Sequence, residues 1–132
     1  MTADGWGRII NISGLAARRS GNLVGSIRNV AVAAMTKNLA DELGPAGVNV
    51  TVVHPGRTIT ERTAATVADL VQSRGISAEQ ARASLAAGVS IGRNVTAAEV
   101  ADVVTFLASP RSVAINGDAI AVGGGDGRAI YY

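Results

Sequence analysis

No cysteine occurs among the 132 residues, so disulfides and thiolate metal sites are excluded. A lone histidine, His54, argues in the same way against a multi-histidine metal centre. Aromatic residues make up only 3% of a chain that is 48% hydrophobic. Its core must therefore be built from Val, Ile, Leu and Ala, a set that suits helices packed closely on a parallel sheet. No apolar run approaches the roughly 20 residues needed to span a bilayer, and the N-terminus lacks a basic segment followed by an apolar one. These absences lead us to expect a soluble, cytoplasmic protein that does not engage a membrane. Long basic runs are missing as well: eleven arginines and one lysine are scattered against ten acids, for a net charge of +2. With no interleaved aromatic set, nucleic acid is not an expected partner. The densest basic cluster, Arg18-Arg19 with Arg28 nearby, reads either as a solvated loop or as a small positive patch for a phosphate or nucleic acid.

What is present is organised around residues 22–60. Ile27, Val30, Ala31, Ala34 and Met35 follow the spacing of one helical face, with Leu39 and Leu43 extending the stripe. Gly44-Pro45 ends that helix, because proline has no N–H to continue the ladder. Val48 to Val53 is β-branched and nearly continuous, as expected of a parallel strand covered on both faces, and it runs into His54-Pro55-Gly56. A first strand is expected at Arg8 to Ile12 and a last one at Asp118 to Val122 after the Asn116-Gly117 turn.

Three capping boxes are predicted, each a hydroxyl followed three residues later by Glu or Gln: Thr58/Glu61, Ser77/Gln80 and Thr96/Glu99. They open helices to about Ser73, to about Ala87, and to Ser109-Pro110, the last with Val100, Val103, Val104 and Leu107 on its apolar side. Gly123-Gly124-Gly125 follows a strand but no helix pattern succeeds it, which favours a flexible exit loop over a phosphate cradle. The expectation is a single α/β domain over residues 1–132: three parallel strands in sequence order, right-handed helical crossovers and flanking helices.

Four stretches together resemble the C-terminal half of the short-chain dehydrogenase/reductase family. They are Gly7 to Ser13, Met35 to Gly44, Val52 to Gly56 with Thr60 beyond, and Gly92-Arg93 through Glu99–Asp102, Phe106–Ser109, Ile115–Gly117 and Ala121–Gly124. The resemblance implies a partial Rossmann-type, doubly wound sheet and NAD(P)-dependent oxidation or reduction of a small-molecule carbonyl or alcohol. It also implies a chain that starts internally, without the first four strands and glycine-rich turn of the family, and a homo-oligomer that pairs through the last strand and the helix at 97–108. The exposed edge of the first strand would need a partner in any case.

The family's Tyr-x-x-x-Lys pair falls on Gly25 and Asn29, and its serine on Gly14, one residue after Ser13. A tyrosine in this role needs a nearby positive charge to bring a phenol of pKa about 10 toward working pH. Gly25 offers no proton, and Asn29 can bond a ribose hydroxyl but carries no charge. Ser13, Ser26 and Asn29 are thus the candidate catalytic residues. Ser13 reads first as a turn residue or cap, Ser26 lacks a neighbouring base, and Arg28 could only orient or neutralise an anion. Tyr131 and Tyr132 would have to fold back or enter from a neighbouring subunit. Asn29, His54, Pro55, Gly56, Thr58 and Thr60 form the implied cofactor wall on the nicotinamide side, Thr60 reading either as part of a cap or as a carboxamide contact. With no pyrophosphate turn in the sequence, binding of NAD or NADP is expected to be weak. The alternative is a non-catalytic binding or assembly subunit of the same family.

Overall fold

The computed structural model describes residues 1–127. Tyr131 and Tyr132 lie outside them. Three parallel strands, β1 (Gly7–Ile12), β2 (Val48–Pro55) and β5 (Ala119–Val122), form one sheet in the order β1-β2-β5. The α/β expectation, with its strand order, holds. A two-residue parallel pair, β3 (Thr58–Ile59) with β4 (Val95–Thr96), stands apart from that sheet. The helices are α1 (Leu23–Leu43), α2 (Thr63–Arg74), α3 (Ala78–Ala86) and α4 (Ala97–Ala108). Among the described residues no helix is long and apolar enough to cross a membrane.

β2 is the centre. Residues 48–54 are all buried, because both strand edges are paired and both faces are covered. Alternation along β1 decides which helix covers which face. Asn11 Nδ2 donates to Thr36 Oγ1 on α1 (2.9 Å), and Ile9 packs with Ala40, Val48 and Val50. Arg8, on the other face, donates to the Ser109 carbonyl (3.4 Å) and Ser112 Oγ (3.3 Å) just past α4. Helices α1 and α4 therefore lie on opposite faces of a sheet whose strands advance in one direction, which gives the two crossovers opposite hands. The expectation that both are right-handed is corrected: the second connection makes a long excursion through α2 and α3 and is not a compact βαβ unit.

The stripe on α1 is also corrected. Ile27 (62% exposed), Val30 (50%) and Met35 (47%) face outward, as do Leu23 and Val24. The buried line is instead Gly25, Asn29, Thr36 and Ala40, with Leu39 and Leu43 packed at the core margin. Small side chains let the helix backbone approach β2, and the polar ones are bonded: Thr36 Oγ1 accepts from Asn11 and donates to the Val32 carbonyl.

Two of the three predicted capping boxes form, at Ser77/Gln80 and Thr96/Glu99. The third does not. Thr58 and Ile59 are drawn into β3, α2 begins at Thr63 with no side-chain cap, and the Thr60 N–H donates to Thr63 Oγ1 (2.9 Å). At α4, Glu99 accepts from the Thr96 N–H (2.8 Å) and from the Arg93 guanidinium, which holds its carboxyl down at about 2. Replacing the cap by Thr96→Ala should cost about 1 kcal/mol of stability. A lowered urea midpoint with an unchanged slope is the expected readout.

Candidate functional site

The carboxyl ends of β1, β2 and β5 empty into one crevice, the usual ligand position in open α/β sheets. The loop after β1 supplies Ser13, Gly14, Leu15, Ala16 and Arg19; the turn after β2 supplies Pro55, Gly56 and Arg57; Asp126 comes from beyond β5 and Arg28 and Asn29 from α1. Together they line an open cavity of about 380 Å³.

Glycine makes this convergence possible. A Cβ on Gly56 would lie 2.8 Å from the Gly123 Cα, and one on Gly123 would lie 2.6 Å from Leu15 Cδ1. The expected flexible exit loop is therefore corrected: residues 123–127 are stitched down. The Ile91 N–H donates to the Gly124 carbonyl (3.1 Å), Ser90 Oγ to the Gly125 carbonyl (3.0 Å), and Asp126 pairs with Arg19 across the cavity mouth (2.5 Å).

The sequence-predicted residues are partly united here. Ser13 Oγ donates to Asn29 Oδ1 (3.0 Å), and Asn29 is only 6% exposed. Its Nδ2 lies 3.5 Å from the point a Cβ on Gly14 would occupy. Pro55 and Gly56 line the same cavity. Ser26 does not reach it: its hydroxyl donates to the Arg19 carbonyl (2.8 Å) and ties the β1 loop to α1. Thr58 and Thr60 line a smaller neighbouring cavity with Arg57, Arg62 and Thr63. Gly25 donates its N–H to Asn22 Oδ1 (2.8 Å) and so sits in the first turn of the helix. Among the described residues no cluster of His, Cys, Asp or Glu is placed to hold a metal.

His54 is not part of the cavity wall. It is 1% exposed at the end of β2, and its Nδ1 has no hydrogen-bond partner. Burial, and then the charge of Arg18, push its pKa below the ordinary value. Arg18 and Arg19, one cluster in sequence, thus part company: Arg18 donates to the Ala119 carbonyl (2.8 Å), while Arg19 meets Asp126. Sequence reasoning missed Arg57 and Asp126, which belong to the site only because three loops meet. The single available signal was their position just past a strand.

Comparison with known proteins places this geometry. Residues 1–126 match the family model described as enoyl-(acyl carrier protein) reductase. The chain belongs to the short-chain dehydrogenase/reductase family. It is 36% identical to the short-chain reductase protein NovJ of Streptomyces niveus over 95% of this chain and 47% of that protein. It is 31% identical to the NADPH-dependent reductase BacG of Bacillus subtilis over 98% of this chain and 51% of that protein. The L-sorbose reductase of Gluconobacter frateurii, solved with NADPH and L-sorbose, superposes with a TM-score of 0.88 at 26% identity, covering 98% of this chain and 51% of that one. The chain spans about half the length of these relatives.

The buried His54 sets a pH dependence for this short-chain dehydrogenase/reductase chain. Its native pKa lies below the unfolded value of about 6.5, so the unfolded state takes up the proton first as pH falls. Stability should be flat above about pH 6.5 and decline as the pH drops below it. Urea unfolding of the chain and of His54→Gln between about pH 5.5 and 7.5 tests this, with the slope in that window lost in the variant.

Proposed function

We propose that these residues form the substrate- and nicotinamide-facing side of an NAD(P)-dependent oxidoreductase site for a small carbonyl or alcohol, and that this chain by itself does not turn over. The observation that carries the reading is the convergence of Ser13, Asn29, Pro55 and Gly56 on one cavity at the strand carboxyl ends. The residues present suit the nicotinamide end of a dinucleotide: the Asn29 amide can bond a ribose hydroxyl, and Pro55-Gly56 offers a flat backbone wall. They do not suit its pyrophosphate, since no glycine-rich strand-turn-helix occurs in these 132 residues. A bound nicotinamide would supply or accept the hydride.

Proton transfer is where the site falls short. Gly25 and Asn29 stand where a phenol and an ammonium work in the family, and help of that kind is worth about 10² to 10⁴ in rate. The Ser13 hydroxyl is held against an amide oxygen, which cannot act as a base at neutral pH. These replacements, with the apolar face of α1 turned outward, favour a second reading: a non-catalytic binding or assembly subunit that acts in a cytoplasmic homo-oligomer.

The purified chain should show no cofactor-dependent turnover above background on alcohols, ketones or 3-oxoacyl thioesters, and calorimetric NAD(P)H binding weaker than micromolar. Gly25→Tyr with Asn29→Lys should not rescue it, since the pyrophosphate site is still lacking. Turnover by the unmodified chain that disappears in Ser13→Ala or Ser26→Ala would overturn the inactive reading. Light scattering should find self-association through the exposed strand edge and apolar helix face, and a monodisperse monomer would count against it.

A further inference from the structure

The cavity at the strand ends is lined by more positive charge than a neutral carbonyl substrate requires. Arg19, Arg28 and Arg57 border it, with Asp126 as the one acid. Arg19 and Asp126 neutralise each other in an ion pair. Arg28 has no acidic partner among the described residues, and Arg57 bonds only the Leu85 carbonyl (3.2 Å). The remaining polar lining is also weighted toward donors. Asn29 Oδ1 is occupied by the Ser13 hydroxyl, which leaves the Nδ2 of a side chain more than nine-tenths buried to face the space beside Gly14.

We propose that this cavity binds the anionic group of a small molecule, a carboxylate or phosphate of the substrate, between Arg28 and Arg57, with the Asn29 amide as a further donor. Guanidinium groups pair with both oxyanions through two parallel N–H bonds, and the anion would offset the two charges that Asp126 leaves unmatched. Gly14 places no side chain beside the Asn29 Nδ2, which lies 3.5 Å from where its Cβ would stand, and so leaves that donor open to the anion. Arg28, which stands one residue before the position of the family lysine, is then a specificity residue that pairs with the anion.

This inference rests on the proposed reading of the cavity as a substrate site, but it is tested without cofactor or turnover, so the two can fail separately. Inorganic phosphate, pyruvate and nicotinamide mononucleotide are each titrated calorimetrically into the intact chain at low salt, where charge pairing is least screened. We expect phosphate and pyruvate to bind one site, with affinity falling as NaCl is added. Arg28→Gln and Arg57→Gln should each weaken binding about tenfold or more, and the double variant should abolish it. Both side chains lie on the surface, so circular dichroism should be unchanged. Arg62→Gln, which removes an equal charge beside the smaller neighbouring cavity, should have no effect. Equal losses in all three variants, or no binding of phosphate and pyruvate, would overturn the proposal. Binding of the mononucleotide alone would assign the arginines to the cofactor's phosphate and overturn the substrate assignment.

Discussion

The fold and the site both depend on the full burial of β2 between two parallel neighbours. Its apolar and β-branched run can be hidden only if both edges are paired and both faces carry helices. Once that is met, β2 and β5 end side by side and β1 ends opposite Val53, so the loops that leave them share one crevice. The close approach of Gly56 to Gly123 is the sharpest expression of this constraint. A Cβ on either glycine would clash with the other turn or with Leu15, so the two turns can approach only through glycine.

On the proposed reading, the chemistry of that crevice differs from what the resembled pattern would supply. Where a phenol and an ammonium act together in the resembled pattern, this chain carries Gly25, engaged by the Asn22 cap, and Asn29, engaged by Ser13. A glycine and an amide, on that reading, stand in place of proton-transfer groups. Three arginines, Arg19, Arg28 and Arg57, border the same space against one acid, Asp126.

The outward face of α1 follows from the same close packing. The buried line of the helix is Gly25, Asn29, Thr36 and Ala40: Gly25 and Ala40 are small enough for the backbone to come near, and Asn29 and Thr36 are polar and bonded. Its larger apolar side chains Leu23, Val24, Ile27, Val30 and Met35 are then left exposed.

Much of this was legible in the residues. β-branched runs, Gly-Pro and Asn-Gly punctuation and the Ser77 and Thr96 boxes determined where strands and helices lie, because those signals act within a few residues of one another. The candidates Ser13, Asn29, Pro55 and Gly56 meet at one cavity for a similar reason, each standing at or beside a strand end or on the helix that follows. What only the tertiary structure decided were the outcomes that depend on a partner far away in the chain. Periodicity revealed that α1 has an apolar stripe but not which stripe meets the sheet. Thr58 had the spacing of a cap yet went to a strand because Val95 was there to pair with it. His54 read as wall and became core, and Arg57 and Asp126 entered the site through loop convergence. Local bonds are written in local sequence, whereas burial, handedness and the meeting of loops are set by which distant surfaces share a core.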